Sequence, residues 1–197
     1  MQLLVRKQQP MTVAEFDDFV ERQGDDASLY ELIGGVVFMM TNPTRRHGKI
    51  VANIGWHLKG AMDKRGCETF IGDVRIQRDE DIRGLDKPKP DLLVRCGRSD
   101  ASRDRLNYVT DPVVVVEALS PSTMDVDRGP KLDFYKSLPS LQHIVIAYQD
   151  QVRIEHYRRE GERWTMDALT KPEAALGLAA VDFTMTVAEA YFDVSLG

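Results

Sequence analysis

The hydrophobic positions of the chain recur at two spacings, one typical of helices and one typical of strands. Apolar side chains recur at helical spacing over residues 44–64, and Thr12 and Glu15 form a capping box that starts a shorter helix, expected to end before Gly24. Four consecutive valines at 113–116 are typical of a strand buried on both faces, in a sheet that is covered by helices. The pattern therefore predicts an α/β fold.

The other β-type runs are short and are separated by turn residues. Gly34 and Gly35 lie between two such runs, residues 30–33 and 36–40, and predict a hairpin with a tight turn. Further strands are expected at residues 67–71, 74–78, 90–94, 142–148, 152–158 and 163–169, and further helices at 127–138 and 187–192. The last three strands form a meander, so we expect a mixed sheet. The charged segment 79–89 and residues 120–123 are expected to be loops, the first of them exposed.

Length and charge limit the class of protein. The 197 residues are expected to form one domain, residues 12–197, after a flexible arm of residues 1–11. The 26 basic and 31 acidic residues give a formal net charge of −5, which argues against a broadly basic nucleic-acid coat but leaves a local basic groove open. No apolar run approaches the roughly 20 residues of a membrane span, so we expect a soluble, cytoplasmic protein.

The two cysteines give no sign of a structural role. Cys67 and Cys96 are too few for a disulfide framework and lack the spacing of metal ligands. We therefore expect two reduced thiols, as is usual in the cytosol.

Two carboxylates mark the ends of predicted strands. Asp91 lies at the start of one strand, and Glu117 follows the four valines directly, 117 − 91 = 26 positions later. If the two strands are neighbours, these groups converge and bind a hard divalent cation such as Mg²⁺, which stabilises phosphoryl charge and activates water. Lys131, from the next helix, would then position the attacking water. The spacing alone fits a structural explanation better, in which Asp91 caps a turn and Glu117 forms an ion pair with Lys131.

Five features in sequence order resemble the Uma-two family of endonucleases, which belongs to the PD-(D/E)XK, restriction-endonuclease-like superfamily. They are YELIGGVV, a following His47, Pro90-Asp91, EALSPST, and the D-x3-K-x3-Y pattern of Asp127, Lys131 and Tyr135. The resemblance extends over nearly the whole chain. It implies an α/β, restriction-endonuclease-like mixed β-sheet flanked by helices.

The resemblance also implies roles for individual residues. Asp91 and Glu117 would hold Mg²⁺, with Mn²⁺ as a possible substitute, and the backbone carbonyl of Ala118 would be a further ligand. Glu31, in the hairpin, corresponds to an additional family acid that completes the metal shell or handles a proton. The superfamily lysine is expected two residues after Glu117, where this chain has Leu119, and Lys131 is expected to replace it.

These observations lead to more than one functional hypothesis. The first is a Mg²⁺-dependent endonuclease that hydrolyses phosphodiester bonds in nucleic acid, with DNA expected as substrate. The alternative is a nuclease-fold module that binds or assembles without cutting, which the displaced lysine and the acidic net charge favour. A homodimer is expected, and a purely structural dimer paired through exposed strand edges is a third, weaker hypothesis.

A small basic cluster is the other candidate for contact with nucleic acid. Arg45, Arg46 and Lys49 accompany His47 at the start of the long helix, where they can approach phosphates. For these basic residues a solvated helix start is the safer explanation, and contact with phosphates is the less favoured interpretation.

Overall fold

The structure is a computed structural model that describes residues 9–40, 43–72, 74–78, 83–97, 106–119 and 124–196. The helices are α1 (Val13–Glu21), α2 (Arg45–Met62), α3 (Met124–Asp127), α4 (Pro130–Lys136) and α5 (Val187–Ala190), with 3-10 turns at Gly24–Leu29, Asp63–Arg65 and Ala179–Val181. The strands are β1 (Tyr30–Ile33), β2 (Val36–Met39), β3 (Cys67–Ile71), β4 (Arg75–Ile76), β5 (Leu92–Cys96), β6 (Tyr108–Val109), β7 (Pro112–Leu119), β8 (His143–Tyr148), β9 (Ile154–Glu160), β10 (Arg163–Leu169), β11 (Ala175–Leu178) and β12 (Phe183–Thr186).

A six-stranded sheet in the order β10-β9-β8-β7-β5-β3 forms the centre of the fold. Strands β7 and β8 are parallel, and every other neighbouring pair in this sheet is antiparallel. A parallel pair needs a crossover connection, and α3 and α4 provide it between β7 and β8. The mixed sheet with flanking helices that the sequence predicted is therefore confirmed.

Helices cover both faces of this sheet, and successive valines of β7 contact both of them because neighbouring side chains of a strand point to opposite faces. Val114 and Val116 pack with α2 in one hydrophobic core, and Val115 packs with α4 in the other. Gly55 allows α2 to approach the sheet closely, since a Cβ atom there would lie 2.7 Å from the side chain of Ile71. Three of the four valines, residues 114–116, are thus buried between two helical layers, and Val113 is half-buried.

The amino-terminal hairpin forms a smaller unit next to the sheet. Strands β1 and β2 are antiparallel, and Leu32 packs with Val13 and Phe16 of α1 in a separate core. The backbone of Leu32 also forms a β-bridge with Lys87, in the segment that leads to β5. This bridge ties the hairpin to the segment before β5 and so places Glu31 beside Lys89, two residues before Asp91.

Several local predictions need correction. The helix predicted at 127–138 is shorter, since α4 begins at Pro130 and ends at Lys136, and Asp127 is instead the last residue of a separate helix, α3. The strand predicted at 74–78 is limited to Arg75–Ile76. The strands β6, β11 and β12 and the 3-10 turns were not predicted. The predicted loop 120–123 and residues 1–8 of the arm lie outside the described residues.

The prediction that segment 79–89 is exposed is wrong at Lys87. Residues 79–82 lie outside the described part of the chain, but the Lys87 side chain is buried, and its Nζ lies 2.6 Å from Oδ1 of Asp17. The ammonium also lies over the ring of Tyr108. A charge that has these partners can be buried, which the polar sequence alone does not reveal.

The prediction of two reduced thiols is also wrong in this structure. Cys67 of β3 and Cys96 of β5 are directly opposite each other in the antiparallel register and form a disulfide. Their separation of 29 residues in sequence gives no hint of this, because only the pairing of β3 with β5 brings them together.

Among the described helices, none is long and apolar enough to cross a membrane.

Candidate functional site

The candidate site lies where the end of β7 meets the start of β5. These two strands are antiparallel, with Leu92 opposite Val116, so Asp91 is brought next to Glu117. The backbone N–H of Ala118 donates a 2.7 Å hydrogen bond to Oδ2 of Asp91. The two carboxylates predicted from strand ends therefore lie at the same edge of the sheet.

Lys131 is bonded to three carboxylates in the interior of this site. Its Nζ lies 3.0 Å from Oε2 of Glu31, 3.0 Å from Oε1 of Glu117 and 3.4 Å from Oδ1 of Asp127. All four side chains are buried. Burial lowers the pKa of Lys131, but Glu117 and Glu31 outweigh it, and the pKa rises well above its usual value. The ammonium therefore remains charged and is fixed in position.

Helix α4 holds Glu117 from the face of the sheet that α4 covers. The hydroxyl of Tyr135, one turn after Lys131, donates a 2.6 Å hydrogen bond to the same Oε1 atom that faces the ammonium. Burial raises the pKa of the Glu117 carboxyl well above its usual value, and neighbouring carboxylates add to the rise against the effect of Lys131. The four-residue spacing in the sequence thus corresponds to two contacts with one carboxylate.

Glu31 reaches the site from the hairpin rather than from the central sheet. Its Oε2 atom accepts a 3.1 Å hydrogen bond from the backbone N–H of Lys89 as well as facing Lys131. The β-bridge between Leu32 and Lys87 fixes the hairpin at this distance. The hairpin acid that the family resemblance implied is therefore part of the same cluster.

The opposite side of the site is formed by His47 of α2. Its Nε2 lies 3.1 Å from Oδ1 of Asp91, and its Nδ1 lies 3.0 Å from the carbonyl oxygen of Ala118. Burial lowers the pKa of the imidazole, but the hydrogen bond and charge of Asp91 outweigh it, so the pKa of His47 is raised. His47 thus contacts two of the three groups that the resemblance implied as metal ligands.

The structure brings together every residue that the sequence singled out for the site. Glu31, Asp91, Glu117, Lys131 and the Ala118 carbonyl all lie within this cluster. Asp127 received no specific role from the sequence, although its spacing of four from Lys131, in a stretch predicted to be one helix, was a usable signal. The basic cluster divides: Arg45 and Arg46 are exposed, whereas Lys49 pairs with Asp193.

The donor set is chemically suited to a hard cation, although no metal cage is preformed. Within the described residues, no three His, Cys, Asp or Glu side chains are arranged to hold a metal ion. Carboxylate and carbonyl oxygens are the ligands that Mg²⁺ accepts, and Mg²⁺ commonly uses only one or two carboxylates together with water and substrate. Asp91, Glu117 and the Ala118 carbonyl are compatible with that chemistry, and the Asp91 side chain is 24% exposed.

Comparison with known proteins identifies the relatives of this chain. Two proteins of Synechocystis sp. (strain ATCC 27184 / PCC 6803 / Kazusa) are similar to this chain. "Uncharacterized protein sll1609" is 26% identical to it, over 84% of this chain and 91% of its own length. "Uncharacterized protein slr1290" is 28% identical to it, over 75% of this chain and 74% of its own length. A solved structure of a "putative nuclease belonging to DUF820" from Anabaena variabilis ATCC 29413 superimposes with a TM-score of 0.72 at 17% identity, covering 92% of this chain and 98% of that one.

The fold of that nuclease is shared by this chain, with its central mixed sheet between helices. A family profile described as "Putative restriction endonuclease" matches residues 14–188, which contain every residue of the candidate site. The chain therefore belongs to the Uma2 family.

Proposed function

We propose that the protein is a metal-dependent endonuclease that hydrolyses phosphodiester bonds in nucleic acid, with DNA as the substrate. One observation carries the proposal: side chains from β1, β7 and α4 and the residue before β5 meet in one cluster with a lysine at its centre. A scaffold does not need several carboxylates gathered from distant segments, since buried charges are costly. Membership in a family described as restriction endonucleases supports the same reaction class.

Asp91, Glu117 and the Ala118 carbonyl would hold a divalent cation, Mg²⁺ with Mn²⁺ as a substitute. When bound, the cation would stabilise charge on the phosphoryl oxygens and lower the pKa of water. Glu117 has both of its described contacts on Oε1, from Lys131 and Tyr135, and these contacts hold the carboxylate in one orientation. His47 holds Asp91 and the Ala118 carbonyl in place from the other side.

Lys131 would orient the attacking water or stabilise the charge that develops on the phosphoryl group. Its ammonium is fixed by Glu31, Glu117 and Asp127, so it does not have to reorganise during the reaction. Glu31 would accept a proton or keep the lysine charged.

The direct test is cleavage of single-stranded and duplex DNA and of RNA with Mg²⁺, Mn²⁺ or Ca²⁺. Asp91→Asn and Glu117→Gln are expected to reduce cleavage by about 10²-fold or more while leaving a folded protein. Asp63→Asn, an equivalent change at an exposed residue that pairs with Lys59, is expected to keep the wild-type rate. Wild-type protein that is folded but cleaves none of these substrates with any of the ions would refute the proposal.

A specific observation favours binding without cleavage as a second candidate function. The ammonium of Lys131 already neutralises part of the carboxylate cluster, and His47 occupies Asp91 and the Ala118 carbonyl. A module of this kind would bind nucleic acid with the same affinity in EDTA and in Mg²⁺, and would yield no product. Titration in both buffers separates it from the enzyme.

A further inference from the structure

The amino terminus of α2 carries an unusual arrangement of charge. Thr44 caps the helix, and its Oγ1 atom accepts a 3.2 Å hydrogen bond from the N–H of His47. The N–H groups of Arg45 and Arg46 have no intrahelical acceptor, because the carbonyl groups four residues earlier lie outside the helix. The positive end of a helix dipole is normally stabilised by acidic side chains, but this first turn contains none and has two exposed arginines instead. The arrangement favours an external anion.

A buried amide at this helix start points to the same ligand. Gln149 follows β8, is only 4% exposed, and its Oε1 atom accepts a hydrogen bond from Oγ1 of Thr44. The Nε2 atom of Gln149 is buried and, among the described residues, has no hydrogen-bond partner. Buried donors in folded proteins are nearly always satisfied, so this unused donor beside a helix terminus is available to an acceptor that binds at this position.

The amino terminus of α2 and Gln149 lie next to the candidate catalytic cluster. His47, in the first turn of α2, contacts both Asp91 and the Ala118 carbonyl. Gln149 follows Tyr148, which is paired with Leu119 in the parallel strands β7 and β8. The amino terminus of α2 and Gln149 therefore both lie where β7 ends, two residues after Glu117.

We propose that Gln149 and the amino terminus of α2 (Thr44–Arg46) bind a backbone phosphate of the nucleic-acid substrate, adjacent to the phosphate that is cleaved. The proposal rests on the proposed function, since it assigns a neighbouring phosphate to the same site. A phosphate supplies several acceptor oxygens for amide N–H groups and a negative charge for the helix terminus and the arginines. This phosphate site affects how tightly the substrate binds and where along its backbone it is positioned, and it does not take part in the chemical step.

The test is the binding of a fluorescein-labelled 20-base-pair DNA duplex, measured by fluorescence anisotropy in Ca²⁺ over a range of salt concentrations. Gln149→Glu removes the donor and adds a repelling charge, and Arg46→Ala removes an exposed cation. Each is expected to weaken binding about tenfold, and Arg46→Ala should also lower the salt slope by about one. Gln151→Glu makes the same charge change in the exposed turn two residues later, and Lys64→Ala removes a cation at the far end of α2; neither should change binding.

The outcomes separate this proposal from the function on which it rests. Equal binding by wild type, Gln149→Glu and Arg46→Ala would overturn the phosphate site, as would equal losses in the control variants. Wild-type hydrolysis of bis(p-nitrophenyl) phosphate, which has no neighbouring phosphate, tests the metal-dependent chemistry separately. If that hydrolysis and DNA cleavage are absent while Gln149→Glu still weakens DNA binding, the phosphate site stands without the nuclease. A wild-type protein that binds no DNA would overturn the phosphate site.

Discussion

At the scale of single residues, Lys131 decides how the site is to be understood. Its ammonium lies among Glu31, Glu117 and Asp127, so it serves equally well as a structural counter-ion and as a catalytic group. The two roles differ in what happens when the charge is removed. A structural ion pair predicts only a loss of stability, whereas a catalytic cluster also predicts a change in cation binding.

Lys131→Met is expected to destabilise the protein by about 3 kcal/mol, because it leaves buried carboxylates without their partner. It should also abolish cleavage. Adding Mn²⁺ should raise the thermal unfolding midpoint of the variant by more than that of wild type, since the cation then replaces the lost charge. Calorimetry with and without Mn²⁺ checks this, and an equal effect of Mn²⁺ on both proteins would favour the structural interpretation.

Glu155 illustrates a buried charge outside the site. Its side chain is fully buried, with Oε1 bonded to Tyr148 and Arg153 and Oε2 bonded to Tyr157. Glu155→Ala is expected to lower the free energy of unfolding by about 3 kcal/mol, because these donors lose their acceptor. Urea denaturation measures the change. Glu160→Ala, at the exposed end of the same strand, should stay within about 0.5 kcal/mol of wild type.

At the scale of elements, the disulfide joins β3 to β5 at the end of β5 that is farther from Asp91. It closes a loop with a sequence separation of 29 residues, which includes Asp91. The double substitution Cys67→Ala/Cys96→Ala is expected to lower the free energy of unfolding by about 3 kcal/mol. Wild type treated with a reductant should unfold at the same urea concentration as the untreated double variant. A reductant that leaves the wild-type transition unchanged would contradict the disulfide.

The elements also show which parts of the fold the sequence could predict. Helix α2 and the capping box at Thr12 follow from local periodicity and capping, and both were predicted with bounds close to those observed. The pairing of Cys67 with Cys96 depends on strand register, which no local pattern contains. Strands β11 and β12 were missed although Leu176 and Leu178 alternate at strand spacing, since short alternating runs are weak signals.

The site was more predictable than these details because its residues lie at recognisable places. Asp91 and Glu117 stand at strand ends, and Lys131 and Tyr135 are one helical turn apart. Glu31 could be added only through the family resemblance, since the bridge between Leu32 and Lys87 that brings it close joins distant segments. Gln149 carried no signal in the sequence, because its importance depends on an unsatisfied buried donor.

At the scale of the whole molecule, a buried histidine pair makes stability depend on pH. The N–H of Ala180 donates to Nε2 of His143, so the other nitrogen, Nδ1, carries the proton and donates to Nε2 of His156 at 3.0 Å. Protonating His143 would place a hydrogen where Ala180 donates, and protonating His156 would remove the acceptor between the rings. Burial, together with the charge of Arg158, lowers the pKa of each ring from 6.5 to about 4.

Because the folded pKa values lie below the unfolded one, the unfolded chain binds more protons between pH 6.5 and about 4. The stability from this pair is therefore complete above pH 6.5 and is lost as the pH falls toward 4, by an amount on the order of 3 kcal/mol for each ring. Urea denaturation at pH 7 and pH 5 should show this loss in wild type and in His57→Gln. In His143→Phe/His156→Leu the difference between the two pH values should shrink, because neither ring remains to be protonated. An undiminished difference in that variant would place the acid sensitivity elsewhere.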